Sequence, residues 1–285
     1  MHELKRVLVV GAGTMGSQIA LQTALSGRYD VTLVDTVPGQ LERARAQNRK
    51  LLDRSIEKGR VTKQDADDAL ERISDAKELA SAAPQADLVI EAVIEDFDAK
   101  KAVFEALGKH AKKDAILASN SSTIVISRVA GFTGRPDQCC NMHFFHPVTV
   151  MQLCEIARGP ETSDDTVETA MHFVRTINRT PVLLQKEIWG FIVNRILFAA
   201  SEEAMRLLEG GYATAEDIDT AVAKGLNWPM GPFHLLDFSG LDIFYGALQD
   251  RRKQGEGGDV PNVLRELVEA GHLGRKSGKG FFDYS

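Results

Sequence analysis

Short apolar runs alternate with amphipathic stretches through the first two-thirds of the chain, and beyond Gly190 only amphipathic stretches remain. Val7-Leu8-Val9-Val10, Val31-Thr32-Leu33-Val34, Leu88-Val89-Ile90 and residues 115–118 are continuously apolar. That character fits short strands covered on both faces, as in a parallel sheet. Runs at 139–143, 151–156 and 181–184 predict three more strands, with a short candidate at Arg72-Ile73-Ser74. Between them the spacing turns helical. Ile19, Ala20 and Thr23 share one face, and helices are predicted over 39–59, from the Thr62 cap to about 70, and over 76–82, 98–110 and 164–178. Pro84 is expected to end the third of that series. After Gly190 the pattern predicts helices at 191–209, 214–224, 233–248 and 260–270, separated by Gly210-Gly211, Pro229 and the glycine-rich stretch 255–258. The expected organisation is an α/β domain over 1–185 and an all-α domain over 186–285.

The first strand runs directly into Gly11-Ala12-Gly13-Thr14-Met15-Gly16, a helix follows, and the second strand ends on Asp35, nineteen residues after the last glycine. Strand, glycine turn, helix, strand and spaced acid together predict a Rossmann-like dinucleotide site. Gly11 allows the tight turn, Gly13 lets the backbone approach a pyrophosphate, and Gly16 lets helix and strand pack closely. Thr14 and Met15 complete the cradle at the helix N-terminus, where unpaired N–H groups favour an anion. Asp35 is suited to accept from ribose hydroxyls. Its charge, with no arginine in Thr36-Val37-Pro38, favours NAD over NADP. Parallel sheets bind ligands beyond the carboxyl ends of their strands. Glu95 and the run Ser119-Asn120-Ser121-Ser122-Thr123 both fall there.

Composition narrows the partners. The chain of 285 residues is 44% hydrophobic and 26% charged, which fits a globular protein, and its net charge of -6 excludes a nucleic-acid or anionic-membrane partner as the expectation. No apolar run is long enough to span a bilayer, and Met1-His2-Glu3-Leu4 enters the first strand too soon to hold a signal peptide. Cys139, Cys140 and Cys154 are an odd set without metal-type spacing. They read as small buried thiols in a reducing cytoplasm, and no metal site is expected.

For chemistry, His143 closes one predicted strand and Glu155 closes the next, so neighbouring strands could pair them. A histidine oriented by a carboxylate is a general base for removing an alcohol proton, although a strand-end histidine is also an ordinary structural residue. Ser122 is equally readable as a helix cap. Lys50, Arg54 and Lys58 lie four apart and form a positive stripe that a solvated helix face would also explain.

Taken together, these segments resemble the L-3-hydroxyacyl-CoA dehydrogenases, including the bacterial 3-hydroxybutyryl-CoA dehydrogenases. The likeness spans nearly the whole chain. It rests on the glycine turn, Glu91-Ala92-Val93-Ile94-Glu95, Ala118-Ser119-Asn120-Ser121-Ser122, His143-Phe144-Phe145-His146-Pro147, Gly190-Phe191-Ile192-Val193-Asn194-Arg195, Met230-Gly231-Pro232-Phe233 and Gly278-Lys279-Gly280-Phe281. The resemblance implies oxidation of a short (S)-3-hydroxyacyl-CoA to the 3-oxo thioester by NAD, or the reverse. His143 would be the acid–base residue, Glu155 its partner, Ser122 the group on the 3-oxygen and Asn194 the group on the carbonyl side. It also places Glu95, Lys100, Ser122, His146 and Lys276 at the cofactor, Lys58 on the CoA phosphates, and the helical half at substrate closure and homodimerisation. Phe191, Ile192, Ile196, Leu197 and Leu207 are the apolar residues available for that interface, or for a core.

Two positions depart from the family pattern. His146 stands where asparagine is usual, and Trp189 stands where proline is usual. They motivate an alternative substrate, a hydroxy acid or alcohol without CoA. A catalytically inactive NAD-binding dimer is the non-enzyme alternative.

Overall fold

The computed structural model describes residues 4–285; Met1-His2-Glu3, on which the reading of a leader depends, fall outside them. Contacts divide the chain into two compact units, one ending at Phe191 and one beginning at Ile192.

The first unit is built on one sheet. Its strands are β1 (Arg6–Val10), β2 (Asp30–Val34), β3 (Ile73–Ala76), β4 (Leu88–Glu91), β5 (Ile116–Ser119), β6 (Cys139–Phe144), β7 (Leu153–Arg158) and β8 (Thr180–Leu184). They lie in the order β3-β2-β1-β4-β5-β6-β7-β8. Every neighbouring pair is parallel except β6 and β7, which are antiparallel. The sequence pattern predicts a parallel sheet, and this pair corrects it. A parallel neighbour needs a crossover of a dozen or more residues, and the connection 145–152 is too short to make one.

Alternation along β1 assigns the two faces. Val7 and Val9 enter one core layer with Ile19, Ala20, Ala44, Ala69 and Phe173, while Leu8 and Val10 enter the other with Phe104, Leu107 and Val129. The first layer is covered by α1 (Thr14–Leu25), α2 (Gln40–Glu57) and α3 (Lys63–Glu71). α4 (Leu79–Ala82), α5 (Phe97–His110) and α6 (Ser127–Ala130) belong to the second, and α7 (Asp164–Thr176) returns to the first. Each buried Val, Leu or Phe contributes about 1.5–3 kcal/mol. The starts of α3, α5 and α7 are marked by side-chain caps. The Thr62 hydroxyl accepts from Asp65 N–H (3.1 Å), Asp96 from Ala99 N–H (2.9 Å) and Ser163 from Thr166 N–H (3.2 Å). The α-helix before Pro84 ends at Ala82, as the sequence suggests, although it begins only at Leu79. Pro84 itself lies in a 3-10 turn (Ala83–Gln85) that follows the helix, at an early position where a missing N–H costs nothing.

The second unit contains α8 (Val193–Glu209), α9 (Ala215–Gly225), α10 (Pro232–Ser239), α11 (Leu241–Lys253) and α12 (Asn262–Glu269). The single helix predicted over 233–248 is two. Gly240, at φ 102°, turns the chain between α10 and α11, a backbone region that side chains disfavour. Two buried carboxylates fix this unit. Asp219 accepts from Phe233 and His234 N–H, each at 2.8 Å, and so caps α10 from α9. Asp237 accepts from Phe281 N–H, Phe282 N–H and the Tyr284 hydroxyl, each at 3.0 Å, and so ties down the C-terminal tail. Among the described residues no helix is long and apolar enough to cross a membrane.

Candidate active site

β1 stops at Val10 because Gly11 turns away at φ 102° while its N–H donates to the Val34 carbonyl at 2.8 Å. A Cβ on Gly11 would come within 2.6 Å of the Ala92 carbonyl oxygen, and one on Gly16 would lie 1.8 Å from the Gly11 carbonyl oxygen. Both positions therefore exclude a side chain. At Gly13 a Cβ would meet nothing within 4 Å, so the outer side of the turn is open to a ligand. α1 begins there with no side-chain cap and no acid in its first turn, which leaves its N–H groups available to an anion. Asp35 sits beside this turn, its carboxylate accepting from Ala12 N–H (2.7 Å) and Val37 N–H (2.8 Å). An open backbone cradle, an uncapped helix start and an adjacent fixed carboxylate fit the pyrophosphate and ribose of NAD.

Farther along the sheet, β6 and β7 pair His143 directly opposite Glu155. Facing residues of antiparallel strands share one face, and the ring nitrogen Nδ1 lies 2.9 Å from Glu155 Oε2. Glu155 is fully buried and His143 is 12% exposed, so the imidazole is reachable while its carboxylate is not. Phe145 and Phe191 flank the ring, with centroids at 4.5 and 5.7 Å. The hydrogen bond at Nδ1 sets the tautomer and leaves Nε2 to exchange a proton.

The loop carrying Ser122 is tied to the same strand. Ser119 at the end of β5 pairs with Asn141, whose buried amide donates to the Ser121 (3.1 Å) and Ile124 (3.3 Å) carbonyls. Asn120 Oδ1 accepts from Phe144 N–H at 2.9 Å, and the Ser122 carbonyl accepts from Gly190 N–H at 2.8 Å. Ser122 and His143 are thus carried by adjacent, mutually bonded segments at the carboxyl ends of β5 and β6.

Glu95 lies beyond β4 and accepts from the hydroxyls of Ser121 and Thr123. Burial pushes its carboxyl up, but the Lys100 charge and these hydroxyls outweigh that and hold it below its ordinary value. Lys100 is 1% exposed, with its ammonium between Glu91 (2.7 Å) and Glu95 (3.2 Å). His146 is exposed, whereas Trp189 is buried. Lys58 caps the C-terminus of α2, exposed along with Lys50 and Arg54. Asn194, in the first turn of α8, and Lys276, exposed and paired with Asp242, belong to the helical unit. Glu91, Asn120 and Asn141 receive no role from sequence alone. One signal was present for Glu91, a charge closing an otherwise apolar strand.

Residues 6–188 match the NAD binding domain of 3-hydroxyacyl-CoA dehydrogenase, and residues 190–284 match its C-terminal domain. The chain belongs to the 3-hydroxyacyl-CoA dehydrogenase family. It is accordingly an NAD-dependent oxidoreductase, with the family's two domains in order. A probable 3-hydroxybutyryl-CoA dehydrogenase of Bacillus subtilis is 38% identical, over 99% of this chain and 98% of that protein. The crystal structure of (S)-3-hydroxybutyryl-CoA dehydrogenase PaaH1 from Ralstonia eutropha superposes with a TM-score of 0.93 at 36% identity, covering 99% of this chain and 100% of that one. A diketoreductase described as acting on dicarbonyl compounds superposes with a TM-score of 0.88 at 32% identity, covering both chains completely.

Proposed function

We propose that the chain interconverts a short-chain (S)-3-hydroxyacyl-CoA and its 3-oxoacyl-CoA, with His143 and Glu155 as the acid–base pair. The His143–Glu155 hydrogen bond, buried on the carboxylate side and reachable on the imidazole side, carries this reading. NAD, when bound, supplies the hydride acceptor. Ser122 and His143 hold the substrate alcohol, and His143 Nε2 takes its proton as the carbonyl forms. Glu155 stabilises the resulting imidazolium without taking the proton itself. In the reverse direction the imidazolium returns the proton to the 3-oxygen. Gly11, Gly13, Thr14, Met15, Gly16 and Asp35 hold the dinucleotide, Glu95 and Lys100 contact it, and His146 lies on its nicotinamide side. Lys58 meets the CoA phosphates. Asn194, for the thioester carbonyl, and Lys276, for the cofactor, enter this reading through their family positions alone.

A reducing cytoplasm belongs to the same proposal. Cys139, Cys140 and Cys154 are buried free thiols, and burial raises all three, Cys139 to about 11. So does a homodimer, supported by the exposure of Ile192, Ile196 and Leu207 on the helical unit while Phe191 is buried in the first. Sedimentation at micromolar concentration is expected to give a dimer; monomer alone contradicts it.

Oxidation of NADH with acetoacetyl-CoA tests the activity. The thioester is expected to outperform free acetoacetate by about 10²-fold or more in kcat/KM, because contacts remote from the reacting carbon lower the barrier at it. Lys58→Ala is expected to remove part of that advantage. Equal rates with thioester and free acid would instead favour a substrate without CoA, the reading that likeness to the diketoreductase supports.

A further inference from the structure

Glu91 is wholly buried at the last position of β4, and its carboxylate makes three bonds. Oε1 accepts from Val93 N–H (2.8 Å) and the Lys100 ammonium (2.7 Å), and Oε2 accepts from the Ser119 hydroxyl (2.6 Å). Its main-chain carbonyl accepts from Asn120 N–H at 2.8 Å. The bonds close a ring. Ser119 Oγ accepts from Ser121 N–H (3.2 Å), the Ser121 hydroxyl donates to Glu95, and Glu95 meets Lys100 at 3.2 Å, which returns to Glu91. Gly11 packs against the Ala92–Val93 peptide that Glu91 bends, so the ring also touches the glycine turn.

A buried ion pair is a poor source of stability, because desolvating two charges offsets their attraction and an apolar pair of similar volume does as well. Energetics alone therefore give no reason for a charge to close an apolar strand. Its position supplies one. The Lys100 ammonium is covered, while Glu95 is half exposed at the mouth of the site, so the ring reaches the outside at Glu95.

We propose that Glu91 is a positioning residue for the cofactor: through Lys100 and Ser119 it fixes Glu95. This deepens the proposed role of Glu95 and rests on it.

The test compares Glu91→Gln, Lys100→Met and the double variant, reading NADH affinity by fluorescence, thermal midpoint, and KM and kcat with acetoacetyl-CoA. Lys100→Met leaves the buried Glu91 carboxylate without its countercharge and lowers the midpoint, while Glu91→Gln leaves Lys100 paired with Glu95 alone and lowers it less; the double change removes both buried charges and restores it. Each single variant, and the double, is expected to bind NADH about tenfold more weakly, with no further loss in the double, as for residues of one network. KM for the thioester stays near wild type. Recovery of NADH affinity together with the midpoint in the double variant would show the pair to be structural only. Weak binding in Lys100→Met with normal binding in Glu91→Gln would show that Lys100 touches the cofactor directly. Because NADH affinity is read without turnover, a wild-type protein inactive on the thioester would overturn the substrate reading and leave this comparison decisive.

Discussion

His143→Ala is expected to lower kcat with acetoacetyl-CoA by about 10²–10⁴, the range for removing a positioned general acid–base. NADH affinity should hold, since the glycine turn and Asp35 lie after β1 and β2, whereas His143 lies on β6. Glu155→Gln keeps a hydrogen-bonding side chain of the same size but removes the charge that stabilises the imidazolium. Its loss should be smaller than that of His143→Ala and fall on kcat. Because the partners act as a unit, the double variant should be little worse than His143→Ala alone. Stopped-flow NADH absorbance measures all three. A fall confined to KM, or additive losses in the double variant, contradicts the assigned roles.

Gly16→Ala is expected to abolish useful NAD binding. Its Cβ would lie 1.8 Å from the Gly11 carbonyl oxygen, a backbone atom that cannot rotate away. Either α1 moves off β1 or the turn opens, and both displace the N–H groups proposed to meet the pyrophosphate. Displacement of this kind costs about 10² or more in kcat/KM, and forced overpacking adds about 1–3 kcal/mol of destabilisation. Gly13→Ala is the informative comparison. There a Cβ meets nothing within 4 Å, so the thermal midpoint should hold while NADH binds more weakly. Differential scanning calorimetry with NADH titration separates the two; a Gly13→Ala protein with wild-type NADH affinity would show that the pyrophosphate does not approach that face.

The part of the site carried by local pattern was legible in the sequence. The strand, glycine turn and helix at 6–25 follow from continuous apolar residues and three glycines, and Asp35 from where the next strand stops. Thr62 and its helix were readable because a cap acts on its own neighbours. What depends on register was less so. That His143 would face Glu155 required the antiparallel β6–β7 pair, which the length of the connection, rather than its composition, imposes. The break at Gly240 was hidden inside a sustained apolar period, where one glycine is a weak signal until its φ is known. Glu91, Asn120 and Asn141 join segments distant in sequence, so spacing could not assign them bonds.

The central claim is that this chain delivers hydride to the 3-carbon of a CoA thioester. Mass spectrometry of the product formed from acetoacetyl-CoA and NADH carrying deuterium at both C4 positions tests it most directly. The account predicts (S)-3-hydroxybutyryl-CoA bearing a single deuterium at C3. Unlabelled product, label at another carbon, or no reduction of the thioester at all would contradict it.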